Sequence, residues 1–246
     1  MFKKILIFLI VVGLVAASFT VFSDKGNKSM SSASASANKF SNVSIACLGD
    51  SITMATKIDK SYPTCLGEAL GTSKVYNYGI SWSTLAKISP CHCHPNGEYS
   101  HYPYVERYNK MVAADIILVF GGINDYGCLV PLGSATDKTS ETFYGALNLT
   151  MEGLKKSYPD SYIVFMTGFD YYGPGAHNQD GTYWADYNSA IRNACIKHNI
   201  DCLDIYNRID FDREKYTVDG IHPTQEFIEE KWVPVIATYL KNNYKK

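Results

Sequence analysis

Five short strand-like runs punctuate the chain at residues 43–48, 74–78, 115–120, 162–166 and 201–204. The third, Asp115-Ile116-Ile117-Leu118-Val119-Phe120, is almost wholly apolar. That pattern suits a strand buried on both faces in the middle of a parallel sheet. Between these runs the apolar period changes to that of a helix. Phe143, Leu147, Met151 and Leu154 fall on one face of a helix expected over 140–157. Ala190, Ile191, Ala194 and Cys195 do the same over 183–198. Shorter helices are expected at 64–70, where Gly71 supplies a stop, and at 104–111, with a closing helix over 225–239. Residues 89–103 and 168–181 carry turn formers and read as loops. Strand and helix alternate, which predicts an α/β fold with a parallel sheet between helical layers. Right-handed crossovers would bring the turns after the first three strands to one sheet edge.

The N-terminus stands apart from this alternation. Met1-Phe2-Lys3-Lys4 leads into residues 5–22, which carry no charge. Residues 1–22 read as a signal peptide, with Val15-Ala16-Ala17 as a cleavage site, or as a retained membrane anchor. Residues 23–41 are Ser/Ala-rich and have too little apolar surface to fold, so they read as a flexible linker. The folded domain is expected over 42–246. Either reading of the leader puts that domain outside the cell, secreted or tethered to the outer membrane face. With 246 residues, 46% of them hydrophobic, the chain can bury one ordinary core, and a net charge of −1 offers nothing to nucleic acid.

Seven cysteines in an exported chain leave at least one unpaired. Cys47 sits inside a strand and is expected to be a small buried apolar group, while Cys195 and Cys202 could bridge a helix end to the next strand. Cys91-His92-Cys93-His94 invites a metal. Neighbours in an extended loop point apart, however, and a disulfide-bearing or unconstrained loop is the expectation. No metal or cofactor is expected. Asn27, Asn42 and Asn148 open glycosylation acceptor patterns, which matter only in a host with that machinery.

Three separated stretches carry candidate chemistry. The first strand ends in Gly49-Asp50-Ser51, the third is followed by Gly121-Gly122-Ile123-Asn124-Asp125, and Asp219-Gly220-Ile221-His222-Pro223 precedes the closing helix. Ser is a weak nucleophile unless a base lies within hydrogen-bond reach and a third group orients that base. His222 has a carboxylate, Asp219, three residues before it in a turn-rich segment, and it is expected at the helix entrance. Ser51 is therefore the candidate nucleophile, His222 its base and Asp219 the orienting group. An oxyanion needs donors. Candidates are the Ser51 N–H, the Gly79 N–H after the second strand and the Asn124 side chain. Asp50 and Asp125 read as loop-fixing acceptors.

These stretches resemble the SGNH (GDSL-type) hydrolase family. Gly49-Asp50-Ser51 is similar to its first block and Gly79, in Asn77-Tyr78-Gly79-Ile80-Ser81, to its second. Gly122-Ile123-Asn124-Asp125 and Asp219-Gly220-Ile221-His222 are similar to the third and last. The resemblance spans residues 43 to 240. It implies a flavodoxin-like, three-layer α/β/α fold and serine ester hydrolysis without metal. Family members cleave acetyl esters on polysaccharides, lipid esters or thioesters, and some transfer acetyl groups. Trp82, just past Gly79, is the aromatic expected beside substrate, and Tyr171-Tyr172 lie in a loop at the same edge. The expected partner is a small-molecule or polysaccharide ester, and short acyl groups are favoured because no long apolar lid is visible. A lysophospholipase, thioesterase or sugar O-acetyltransferase is the alternative.

Overall fold

The computed structural model describes residues 38–88, 102–173 and 175–245. The leader, most of the linker and the Cys91–His94 stretch lie outside the described residues. The chain runs β1 (Ile45–Gly49), α1 (Ser51–Met54), α2 (Tyr62–Leu70), β2 (Val75–Gly79) and α3 (Tyr104–Arg107), then β3 (Ile116–Phe120), α4 (Ile123–Gly127) and α5 (Phe143–Ser157). It continues through β4 (Tyr162–Met166), α6 (Trp184–His198), β5 (Asp201–Leu203), α7 (Ile205–Arg208), α8 (Arg213–Tyr216), α9 (Gln225–Phe227) and α10 (Val233–Asn243).

The five strands form one parallel sheet in the order β2-β1-β3-β4-β5. β1 and β3 are buried along their whole length, which is why they read as apolar runs. α5 packs on α6, and α2 on α10. The result is the three-layer α/β/α architecture. In this strand order the chain reverses direction across the sheet between β1 and β3, and ligands bind in the crevice beyond the strand ends at that point.

Two local departures from the sequence expectation have physical causes. The segment after α3 tightens into a 3-10 turn, Tyr108–Lys110, instead of continuing as α-helix. The closing helix is interrupted: α9 gives way to a π turn, Ile228–Trp232, before α10. Pro234, in the first turn of α10, lacks an N–H and cannot serve in the middle of an unbroken helix. The π turn aims Trp232, fully buried, at Phe120 on β3 (ring centroids 4.7 Å apart) and at Phe169 beyond β4 (4.8 Å). This cluster fastens the closing helix to the end of the sheet that carries the candidate residues.

Cys47 is buried, and burial pushes its thiol up to about 12, so it behaves as an apolar side chain. Cys65, Cys195 and Cys202 are also free, so the bridge that Cys195 and Cys202 could make between helix and strand is not formed. Cys128 is disulfide-bonded. Among the described residues, no helix is long and apolar enough to cross a membrane.

Candidate active site

β1 delivers Ser51. Asp50 caps α1, its Oδ1 accepting from the Ile52 N–H at 2.9 Å, so the turn between strand and helix is closed and Ser51 becomes the first residue of α1. The Ser51 N–H therefore has no carbonyl within the helix to donate to. Burial is the largest influence on the Asp50 carboxyl and pushes it up to about 6, against the lowering effects of the Ile52 N–H, His222 and Arg107.

His222 comes from the far side of the crevice. Its Nε2 lies 2.9 Å from Ser51 Oγ, and its Nδ1 lies 2.8 Å from Asp219 Oδ2. Asp219 Oδ1 also accepts from the backbone N–H groups of Ile221 (3.2 Å) and His222 (2.9 Å). One carboxylate thus folds the loop and holds the ring. Burial acts to raise the Asp219 carboxyl, but the His222 backbone N–H, the His222 ring and the Ile221 N–H together hold it below the usual carboxylate range. His222 is not at the helix entrance itself. Thr224 is the cap of α9, and His222 sits two residues earlier in a loop closed by a Thr217–Pro223 bridge. Phe211 and Phe227, before and after the loop, pack against each other at 5.0 Å and both rest on Phe169.

β3 delivers Asn124 in α4. Its Nδ2 donates one hydrogen to the Ser83 carbonyl at 3.0 Å, and the amide has a second to offer. Asp125 beside it is fully buried and accepts from the Leu85 and Ala86 N–H groups, each at 2.9 Å. It fixes the 83–86 segment against α4, the acceptor role expected of it. Burial, the largest influence, pushes its carboxyl up to about 7.

Gly79 is where the expectation needs correction. Its N–H donates to Asn77 Oδ1 at 2.8 Å and is already committed. It does not line the crevice. The reason for glycine here is packing: a Cβ would fall 2.2 Å from the Met54 backbone nitrogen, where α1 crosses β2. Asn77 completes that junction by donating to the Thr53 carbonyl at 2.7 Å. The segment that reaches the crevice beyond β2 is Ser81-Trp82. Trp82 is 40% exposed and holds φ +63°, a left-handed conformation rare for an aromatic residue.

Ser51, Trp82, Asn124, Asp219 and His222 all line one crevice of about 500 Å³. Sequence reasoning missed Lys57 and Ser81, which line it too, and Tyr172 joins them from the loop after β4. Lys57, like Trp82, has a left-handed backbone (φ +76°). Residues 51–57 turn too tightly for any period to announce them. Tyr171 is instead buried and packs on Phe169 and Phe211. Among the described residues no group of His, Cys, Asp and Glu could hold a metal ion. Chemically, a serine hydroxyl bonded to an imidazole whose other nitrogen is held by a carboxylate can lose its proton as it attacks a carbonyl.

A model of the GDSL-like lipase/acylhydrolase family matches residues 47–227. No curated protein matches the chain significantly. Among solved structures, a protein from Lactobacillus plantarum is 27% identical, with a TM-score of 0.70 over 82% of this chain and 98% of its own. A lipase/acylhydrolase from Enterococcus faecalis (18% identity, TM-score 0.55, 81% and 96% covered) shares the fold. So does a family 3 carbohydrate esterase from Clostridium thermocellum (16%, 0.59, 81% and 96%). The family match covers most of the chain, including every block from Cys47 through the His222 loop: the chain belongs to the GDSL-like lipase/acylhydrolase family, SGNH hydrolases that cleave carboxylic esters.

Proposed function

We propose that the protein is an exported serine esterase that removes short acyl groups, acetyl above all, from carbohydrate. The single observation that carries the reading is the unbroken chain Ser51 Oγ, His222 Nε2, His222 Nδ1, Asp219 Oδ2, with contacts of 2.9 and 2.8 Å, opening into a crevice of about 500 Å³.

In the mechanism this implies, His222 Nε2 takes the Ser51 proton as Oγ attacks the ester carbonyl. Asp219 keeps the ring's other proton on Nδ1 and stabilises the imidazolium. The Ser51 N–H and the second Asn124 hydrogen meet the oxyanion. Collapse passes the proton from His222 to the leaving alcohol and leaves an acyl-serine. Water, deprotonated by the same imidazole, releases the acid and restores the hydroxyl.

The alcohol side of the substrate is read from the walls. Trp82 and Tyr172 offer aromatic faces for a sugar ring, and Thr56 and Ser81 offer hydroxyls among them. Ile123 and Ile221 stand beside them, and a wall that mixes rings, hydroxyls and two short apolar side chains has room for a sugar ring and a small acyl group. The neighbour named a carbohydrate esterase agrees with the reading without bearing on this chain's substrate. Export rests on the uncharged leader at 5–22.

Fluorophosphonate labelling with the adduct located by mass spectrometry tests the nucleophile, and Ser51 should carry it. A series of 4-nitrophenyl esters tests the acyl side. Rates should fall beyond butyrate, and a maximum at eight carbons or more would replace the deacetylase reading with a lipid esterase. Acetyl transfer to a sugar outrunning hydrolysis would make the protein an acetyltransferase.

A further inference from the structure

Arg107 ends α3 and is 6% exposed, a rare place for a charge. Among the described residues its hydrogen bonds go to uncharged oxygens. Nη1 donates to the Tyr78 carbonyl at 2.6 Å, and Nη2 donates to the Gly49 carbonyl at 2.6 Å and to Ser83 Oγ at 3.0 Å. Nε donates to the Tyr102 carbonyl at 2.7 Å. The guanidinium stacks over the Tyr104 ring at 4.7 Å, and the Tyr104 hydroxyl donates to the Phe120 carbonyl at 2.8 Å.

Each of these acceptors lies next to a part of the reaction site. Gly49 is two residues before Ser51. Tyr78 leads through Ile80 into Ser81-Trp82, and Ile80 donates its N–H to the same Gly49 carbonyl at 3.0 Å. Ser83 accepts from Asn124 with its own carbonyl, while its hydroxyl accepts from Arg107 and donates to the Ile80 carbonyl at 2.8 Å. Phe120 is followed by the two glycines that launch α4. A short helix thus grips the ends of β1, β2 and β3 at once, and its one buried cation reaches two of them directly.

We infer that Arg107 is a positioning residue for the oxyanion donors, its guanidinium setting the spacing between the Ser51 turn, the 80–83 segment and Asn124. The inference rests on the esterase reading above. A planar fork with five fixed donors can hold these four oxygens in one geometry, and an ammonium cannot. The effect belongs to the transition state. Donors aimed at an oxygen that is anionic only there alter kcat, and an ester's ground-state binding is left nearly as it was.

The test uses the whole protein and the variants Arg107→Lys, Arg107→Met, Asn124→Ala and Arg107→Lys/Asn124→Ala. Kinetics on 4-nitrophenyl acetate, inhibition by benzeneboronic acid (which forms a tetrahedral adduct on a serine) and thermal melting are read for each. Loss of one oxyanion donor lowers kcat by roughly 10²–10³; a misplaced set should lower it about 10- to 100-fold in Arg107→Lys, with KM within about twofold. Boronate affinity should fall by the same factor. Two changes that act on the same donors are not independent, so the double variant should be within about threefold of Asn124→Ala alone. If Arg107→Met fails to fold, Arg107→Lys, which keeps the charge and most of the stem, carries the test. Folded variants with kcat and boronate affinity within twofold of the parent would overturn the inference, and so would losses that multiply with Asn124→Ala. Ser51→Ala is measured alongside. An active Ser51→Ala variant would remove the esterase reading itself, whereas an inactive one beside an indifferent Arg107→Lys removes only the role given to Arg107.

Discussion

Replacing Asp219 by Asn changes one atom and should reverse the polarity of the whole relay. Oδ1 of Asp219 accepts two backbone N–H groups, from Ile221 and His222, and lies 3.1 Å from His222 Nδ1, while Oδ2 faces that nitrogen more closely, at 2.8 Å. An asparagine that keeps the turn must place its oxygen where Oδ1 stands, because only an oxygen can accept those bonds. Its NH₂ then takes the Oδ2 position and donates to Nδ1. The ring answers by carrying its proton on Nε2, and Nε2 would then donate to Ser51 Oγ where it should accept. In a deeply buried triad this exchange costs about 10⁴ in kcat. The Asp219 side chain is 34% exposed and that of His222 16%, and an oxygen at the Oδ1 position stays 3.1 Å from Nδ1, so water and that oxygen both work against the wrong tautomer. A loss of about 10²–10³ in kcat, on the order of 3–4 kcal/mol of barrier, is expected. Melting should hardly move, since both turn bonds survive. Asp219→Ala inverts this pattern: the ring is free to choose its tautomer, but the loop loses two acceptors, and the protein should melt lower. The assay is kcat on 4-nitrophenyl acetate together with a melting curve for each variant. Asp219→Asn retaining more than about a tenth of parental kcat, with its fold intact, would refute the argument that Asp219 sets the tautomer.

Other outcomes follow from the same geometry. Trp82 holds φ +63°, so Trp82→Gly should be more stable to urea than Trp82→Ala by about 1 kcal/mol, reversing the usual penalty for glycine; equal stability would mean the turn is unstrained. Asp125 is pushed up to about 7 by burial, whereas its unfolded pKa is near 4. Between those values the folded state holds a proton that the unfolded chain has lost. This group's contribution to stability therefore falls as pH rises from about 4 to 7 and is flat above. Asp125→Asn should flatten that slope in melting temperature against pH, and an unchanged slope would assign it to other groups. Lys57 adds an ammonium to the crevice wall. The ratio of rates on a carboxylate-bearing ester to a neutral one should fall about threefold in Lys57→Gln, an effect the size of an exposed charge pair and shrinking with salt; a constant ratio would show that the ammonium does not face the bound ester.

The three central strands, β1, β3 and β4, were legible because burial on both faces leaves an unbroken apolar run. Those at 115–120 and 162–166 stand within a residue of β3 and β4. α5 and α6 were legible because three or more turns give a period time to repeat. α1, α4, α7 and α8 are four or five residues long and have no period to read. They appear only as caps and turns. The break at Ile228–Trp232 escaped for another reason: the apolar spacing continues through it, and only Pro234 hints that the backbone does not. Gly79 was misread because glycine signals a lack of side chain without saying why. Here the reason is the approach of α1. Arg107 was invisible, since a charged residue in a short polar helix ordinarily faces water.

The parts that were legible and the parts that were not divide along a physical line. Gly49 pairs in register with Gly79 on one side and Phe120 on the other. Three chain reversals therefore begin at the same height on adjacent strands, roughly 4.8 Å apart. Ser51 and Asn124 inherit their relative positions from that lattice, so identity alone, a serine after one strand and an amide after another, is enough to locate them. His222 has no strand beneath it. It is held by a loop whose ends are fixed by the Thr217–Pro223 bridge and by two phenylalanines seated on Phe169, and its ring is set by one carboxylate. The nucleophile and the donor side chain follow directly on strands buried along their whole length, and the base belongs to a half-exposed loop. Changes in the Phe211–Phe169–Phe227 contact should therefore reach catalysis through the angle of the imidazole, long before they loosen the sheet that carries Ser51.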